Sequence, residues 1–374
     1  MLENLTVIEL ASVLAGPATG MFFAEMGATV IKVENPAGGD ITRSWRLARE
    51  NSPSDISAYF SAVNWGKKSI SLDLKTPFGQ KVVHTLAGRA DIIISSFLPG
   101  SAQRLNLDAD TLLQINPRLI CAEINGYGET ESRPAYDAII QAESGFTYLN
   151  GTPGNISKMP VALMDILAAH QLKEAILLAL IRRFATGKGG KVSVSLMEAG
   201  ISSLANQATN WLCAGVLPQP IGSEHPNIAP YGTIFTTHDG MQVVLAVGTD
   251  IQFENLCRVL GLELPEEMRT NSDRVKQREV LNEFLRKAIA GRDRATFLAE
   301  LREANVPAGA VHDLEEVFKL PLAAELTLNE GQAAGLRTFA AHGLGRKNLT
   351  PPPRLGQDTV EILGQAGYLP EEGS

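Results

Sequence analysis

Few residues of this chain stand at spacings that do chemistry by themselves. Asp165, in Val161-Ala162-Leu163-Met164-Asp165-Ile166, precedes the strongly helical stretch Gln171 to Phe184. From local sequence it reads either as a helix N-cap, a role that Asp favours, or as a reactive carboxylate. Lys67, Lys68 and Lys75 read, without further context, as an ordinary solvated face. His84, His170, His238 and His312 have no local partner at metal spacing, which leaves them as surface or packing residues. Gly187-Lys188-Gly189-Gly190 lacks P-loop spacing and a following Ser or Thr. With no zinc-type His/Glu repeat and no Gly-x-Ser-x-Gly elbow either, nucleoside triphosphatase, metallopeptidase and serine-hydrolase readings fail. Cys121, Cys213 and Cys257 are too far apart for a metal or redox motif and odd in number. They read as reduced thiols of a cytosolic protein.

The elements that must position such groups follow one grammar. Thr6 to Leu10 reads as a strand, Ala15-Gly16-Pro17-Ala18 as the turn into an apolar helix, and Ala28 to Glu34 as a second strand. Strand patterns return at Ser69 to Leu74, Ile92 to Ser95 and Leu119 to Glu123, each followed by a helical pattern or a Gly/Pro break. Alternation of this kind predicts an open α/β sheet of parallel type. Lys191 to Leu196 alternates like a further strand, Met197 to Ala214 reads as helix, and Gly215 to Pro230 as a Gly- and Pro-rich boundary. Thr233 to Val247 predicts a hairpin turning at His238-Asp239-Gly240. The expected division is a large domain over 1–200, a linker over 201–225, a small α+β domain over 226–335 and a return to the large domain over 336–374.

A net charge of −8 excludes a broad grip on nucleic acid, so an anionic ligand needs a local basic cluster. No run approaches the roughly 18 apolar residues of a membrane span. The first residues, Met1-Leu2-Glu3-Asn4, carry no basic region ahead of an apolar one, which argues against a secretory signal and for a cytoplasmic protein. Disorder is expected only in the tail from Glu371 to Ser374.

Taken together and in order, several blocks resemble the family III CoA transferases. They include Val7-Ile8-Glu9-Leu10 with Ala15-Gly16-Pro17, Ile31-Lys32-Val33-Glu34, Gly39-Asp40 with Thr42-Arg43, and Leu72-Asp73-Leu74-Lys75. Phe97 with Pro99-Gly100, Arg104-Leu105, Tyr136-Asp137, Gln141-Ala142 and His225-Pro226 with Pro230-Tyr231 continue the series. The likeness runs from about Val7 to Leu363. It implies a Rossmann-like large domain, a smaller α+β domain and two chains interlocked as a homodimer. It also implies CoA and acyl-CoA as substrates, a small carboxylic acid as acceptor, and no resident metal or organic cofactor.

The same resemblance makes Asp165 the catalytic nucleophile. A carboxylate ionised at neutral pH attacks a thioester without a general base and gives an acyl-aspartyl anhydride that a thiolate reopens to an aspartyl-CoA thioester. A helix N-terminus would help to keep it charged. Lys75 and Arg104 match positions meeting the nucleotide end of CoA, with Leu72 and Phe97 as apolar neighbours. Val13, Leu14 and Ala15 match the channel wall, and Ser96 and Tyr136 complete the set. Two departures stand out: Ser96 replaces a common asparagine, and Ala168-Ala169-His170 replaces a common Thr-Gly or Ser-Gly.

The racemases of α-methylacyl-CoA share the fold and pair this aspartate with a histidine where this chain has Tyr136. A transferase is therefore favoured over a racemase, and a non-catalytic CoA-binding protein is a third reading. Leu204 to Ala208, Asn210-Trp211-Leu212 and Ile228 to Tyr231 look most like the glutarate-type branch, which suggests dicarboxylic acids and succinyl-CoA as donor. Arg43 and Arg46 read as partners of a distal carboxylate or as structural ion pairs. Gly222 to Pro230 reads as a loop closing over the acyl group, with backbone N–H groups for a tetrahedral intermediate, or as a plain connector.

Overall fold

Ile92, Ile93 and Ile94 are all buried, as a strand covered on both faces demands. That strand, β4 (Ile92–Ser95), sits inside a six-stranded sheet with β1 (Thr6–Leu10), β2 (Thr29–Glu34), β3 (Lys67–Ser71), β5 (Ile120–Asn125) and β6 (Gly190–Ser195). The order is β3-β2-β1-β4-β5-β6, and every neighbouring pair is parallel. The chain is thus an α/β protein with a parallel central sheet. The computed structural model describes residues 1–50, 54–331, 333–345 and 347–368, so the tail from Glu371 to Ser374 lies outside the described residues. No helix among them is long and apolar enough to cross a membrane.

The chain forms two compact units. The first comprises Met1–Ser144, Met159–Leu204 and the stretch from Ala324 onward; the second comprises Gly145–Lys158 and Ala205–Ala323. In the second, Tyr231–Thr236 and Gln242–Ala246 make the expected hairpin, and Ala308–Ala310 adds an antiparallel third strand. Phe253, Leu281, Leu285, Phe297 and Leu301 from its helices cover that sheet. The short antiparallel pair Gly151–Thr152 and Asn155–Ile156 belongs to this unit too, although the sequence pattern places it in the first.

Three segments differ from their expected form. The helix expected from Gln171 begins at Leu163 and runs to Thr186, so Asp165 lies in its first turn rather than ahead of it. The stretch from Met197 to Ala214 is two helices, Leu196–Ser202 and Ala205–Ala214, broken where Ala205 takes a φ of 48°. β3 starts at Lys67, because Lys67 is drawn inward by charge.

That charge belongs to a buried network that corrects the reading of Lys67 as solvated. Glu9 on β1 is paired with Lys32 at 2.9 Å and Lys67 at 2.8 Å, all three fully buried. Lys67 Nζ also donates to Pro17 O and Asn64 Oδ1, each at 2.9 Å. Pairing and hydrogen bonding of this kind are what make a buried charge tolerable. The helix Ala15–Glu25 is buried along its whole length. A Cβ at Gly20 would collide with Glu9 Oε2, so only glycine lets this helix lie on the network.

Residues from 350 onward return to β3. Gly66 N–H donates to Thr350 O, Ser69 N–H to Asp358 Oδ2, Ser71 N–H to Thr359 Oγ1, and Gly356 N–H to Ser69 Oγ. The outer edge of the sheet is thereby capped.

Candidate active site

The chain steps from β1 to β2 to β3 in one direction, then crosses to start β4 on the other side of β1. The loops after β1 and β4 therefore diverge at the carboxyl ends of their strands, the position where open α/β sheets leave a crevice. A cavity of about 350 Å³ opens there. Val13, Leu14 and Ala15 wall it after β1, Ser96 and Phe97 after β4, and Tyr136 and Asp165 on a further side. Seven of the ten residues singled out in the sequence thus meet in one cavity.

The other three lie elsewhere. Leu72 is buried in the core beneath the sheet, packed with Ile8, Ile31 and Ile70. Lys75 is exposed in the turn after β3, its N–H donating to Asp73 Oδ1. Arg104 is exposed, with Nη2 donating to Ser101 Oγ at 2.6 Å. A second cavity of about 240 Å³, lined by Lys32, Asn35, Asp40 and Leu74, shares Ser12, Ser96 and Phe97 with the first.

Asp165 is buried, and its carboxylate has no hydrogen-bond partner among the described residues. Burial first, and the charge of Asp137 second, push its pKa up to about 7. This corrects the expectation of a carboxylate fully ionised at neutral pH: the favourable position in the first helical turn is outweighed by desolvation and a like charge. Asp137 opens the helix Asp137–Glu143. Its Oδ1 accepts the Met164 N–H at 2.9 Å, capping the Asp165 helix, whose N-cap Ala162 has no side chain to do so. Its Oδ2 accepts Gln141 Nε2 at 2.8 Å, while Gln141 Oε1 accepts the Met159 N–H at 2.8 Å. Burial, with the charges of Asp165 and Asp137, also raises the pKa of Tyr59.

Asp137 and Gln141 carried a signal in the sequence, since four-residue spacing on a helix puts both on one face. Tyr59 carried none. Arg43, read either as a partner for a distal carboxylate or as a structural ion pair, is buried and held bidentately by Glu34 at 2.8 and 2.6 Å. It also stacks on Phe60 at 3.8 Å, which makes it structural. On the cavity wall, Arg133 stacks on Tyr127 and is paired bidentately with Glu143 at 2.8 and 2.9 Å.

The arrangement offers one carboxyl, free of hydrogen bonds among the described residues, to a crevice of mixed polar and apolar wall, and it suits covalent acyl chemistry. Known proteins agree in sequence and in fold. The sequence model described as CoA-transferase family III matches residues 2–359. A succinate–glutarate CoA-transferase of Agrobacterium fabrum is 36% identical over 382 residues, covering 97% of this chain and 95% of that protein. An acetyl-CoA:oxalate CoA-transferase of Acetobacter aceti is 35% identical over 327 residues, covering 85% of this chain and 82% of that protein. The crystal structure of a CAIB/BAIF family protein from Brucella suis superposes with a TM-score of 0.85 at 37% identity, covering 98% of this chain and 99% of that one. The chain belongs to CoA-transferase family III and is a CoA-transferase.

Proposed function

We propose that this protein moves CoA from an acyl-CoA donor to a carboxylic acid through covalent intermediates on Asp165. The observation that carries the reading is the buried Asp165 carboxyl, without a hydrogen-bond partner among the described residues, on the crevice at the switch point. Its carboxylate oxygen attacks the thioester carbonyl and CoA thiolate leaves, giving an acyl-aspartyl anhydride. The thiolate then attacks the aspartyl carbonyl, expelling the donor acid and leaving an aspartyl-CoA thioester. An acceptor carboxylate repeats the two steps in reverse order, and Asp165 is regenerated with no net proton or electron consumed. Val13, Leu14, Ala15, Ser96, Phe97 and Tyr136 are the residues we assign to the channel, with Lys75 and Arg104 meeting phosphate groups at its outer end and Leu72 acting through the packing behind it.

Dicarboxylic acids, with succinyl-CoA as donor, are the substrates we favour, because the Agrobacterium relative is named for succinate and glutarate, while the Acetobacter relative, whose named donor is acetyl-CoA, is named for one dicarboxylic acid, oxalate. Three free cysteines accord with a cytoplasmic setting. A homodimer of interlocked chains is supported by apolar faces left open on each unit. Leu178, Ile181 and Phe184 are exposed on the Leu163–Thr186 helix, and Trp211, Leu212 and Val216 lie exposed on and just past Ala205–Ala214.

The proton affinity of Asp165 favours a second reading, proton exchange at the α carbon of an acyl-CoA. Its other base would be Tyr136, and phenols are poor bases at neutral pH. Incubation with succinyl-CoA and hydroxylamine, followed by intact-mass and peptide analysis, separates the readings. A hydroxamate on Asp165, absent in Asp165→Ala, is the expected result. Deuterium uptake at the α carbon without any adduct would replace transfer by racemisation, and neither signal would leave a CoA-binding protein.

A further inference from the structure

Val13 stands at φ 71°, in the left-handed region that a β-branched residue rarely enters. A buried ion pair holds the two peptide groups that lead into it. Lys32 Nζ donates to Ala11 O at 2.8 Å, and Asp40 Oδ1 accepts the Val13 N–H at 3.2 Å. The two charged groups meet at 2.9 Å, with almost no side-chain exposure. Each is fixed in turn: Lys32 by Glu9 at 2.9 Å, and Asp40 by the Thr42 N–H at 3.0 Å and hydroxyl at 2.8 Å. These bonds reach across 21 and 27 residues of sequence to one loop. That loop is the wall of the cavity that holds Asp165.

A pair so deeply buried is weak evidence for stability in itself, since well-packed apolar residues often serve as well. Its geometry has a more specific consequence. Relaxation of Val13 to negative φ would turn the peptide planes on either side and re-aim the side chains that line the cavity. We propose that Lys32 and Asp40 are positioning residues that hold Val13 in its left-handed conformation and so shape the wall against which an acyl thioester meets Asp165. The inference rests on the reading of Asp165 as nucleophile. It adds two residues that act through the backbone of a third.

The test compares the rate of hydroxylamine-trapped adduct formation on Asp165 in the wild type, Asp40→Ala, Val13→Gly and the double variant. Loss of the Val13 anchor in Asp40→Ala should slow trapping by roughly a hundredfold. Glycine takes a φ near 71° at no steric cost, so adding Val13→Gly should recover at least about tenfold of that loss. A merely structural Asp40 would lower thermal stability with no dependence on residue 13, and strictly additive losses in the double variant overturn the proposal. Lys32→Met, which frees Ala11 O, carries the same rescue test should Asp40→Ala not fold. Val13→Gly alone, with strain relieved, should melt no lower than the wild type, and a fall of several degrees overturns the claim of strain. A wild type that traps no adduct refutes the Asp165 reading itself; trapping in the wild type with no rescue refutes only the positioning device.

Discussion

Asp137 seats its carboxylate against the first turn of the helix that carries Asp165, accepting the Met164 N–H at 2.9 Å, one residue from the Asp165 side chain. Burial, and then that neighbouring charge, hold the Asp165 pKa at about 7. The reactive form is the carboxylate, so the rate of adduct formation at limiting acyl-CoA, which reports the free enzyme, should climb as pH rises through about 7 and level off above it. Asp137→Asn keeps an acceptor for the Met164 N–H and removes the charge; its inflection should move to lower pH. An unmoved inflection in the pH–rate profile would reject Asp137 as a cause. The other charged groups on elements packed against this helix have partners of their own: Glu25 with Thr338, Glu123 with Lys191, Glu143 with Arg133, and Glu198 with Ser195.

The same shift has a stability consequence of fixed sign. The folded state holds the Asp165 proton up to about pH 7, whereas an unfolded aspartate releases it near its ordinary value of 3.8. Stability from this group is therefore full below about pH 4 and is lost as pH rises to about 7. Asp165→Asn should be the more stable protein at pH 8, by up to about 4 kcal/mol, with the advantage gone at pH 4. Urea midpoints at the two pH values check it; an equal gain at both would show that the carboxyl's charge is not the source.

Arg43 should behave as a structural residue. Arg43→Ala strands the buried Glu34 carboxylate and is expected to cost about 3–5 kcal/mol in denaturant unfolding. If the variant instead keeps wild-type stability and loses only its affinity for the acceptor acid, the substrate role returns.

The open stripe of Leu178, Ile181 and Phe184, the last 95% exposed, predicts self-association. Sedimentation should find the wild type dimeric and Ile181→Glu with Phe184→Glu monomeric or aggregated. A wild type that stays monomeric at micromolar concentration sinks the dimer.

Much of the sheet was legible because its strands are local apolar runs: Ile92 to Ile94 admits little but a doubly covered strand, and His238-Asp239-Gly240 fixes its hairpin by turn chemistry. The seven residues that line the cavity were picked out by ordered motifs, which travel with the loops that converge at the switch point. What stayed hidden depends on partners far along the chain. Lys67 looks like a surface charge until Glu9, 58 residues away, is brought beside it, and the two readings of Arg43 part only when Glu34, 9 residues away, closes on it. Leu72, just past the end of β3, packs in the core rather than on the cavity, which a motif does not encode. The helix of Asp165 starts eight residues early because Asp137 supplies its cap from another helix.

The return of residues 350–359 to β3 bears on how the protein is made. Until that stretch has been synthesised, the N–H groups of Ser69 and Ser71 face outward on an unpaired strand of an otherwise complete sheet. A nascent chain paused short of it presents a sticky ribbon edge to its neighbours on the same polysome. Yield of native protein should therefore depend on prompt completion of translation, and on chaperones shielding the edge while it waits.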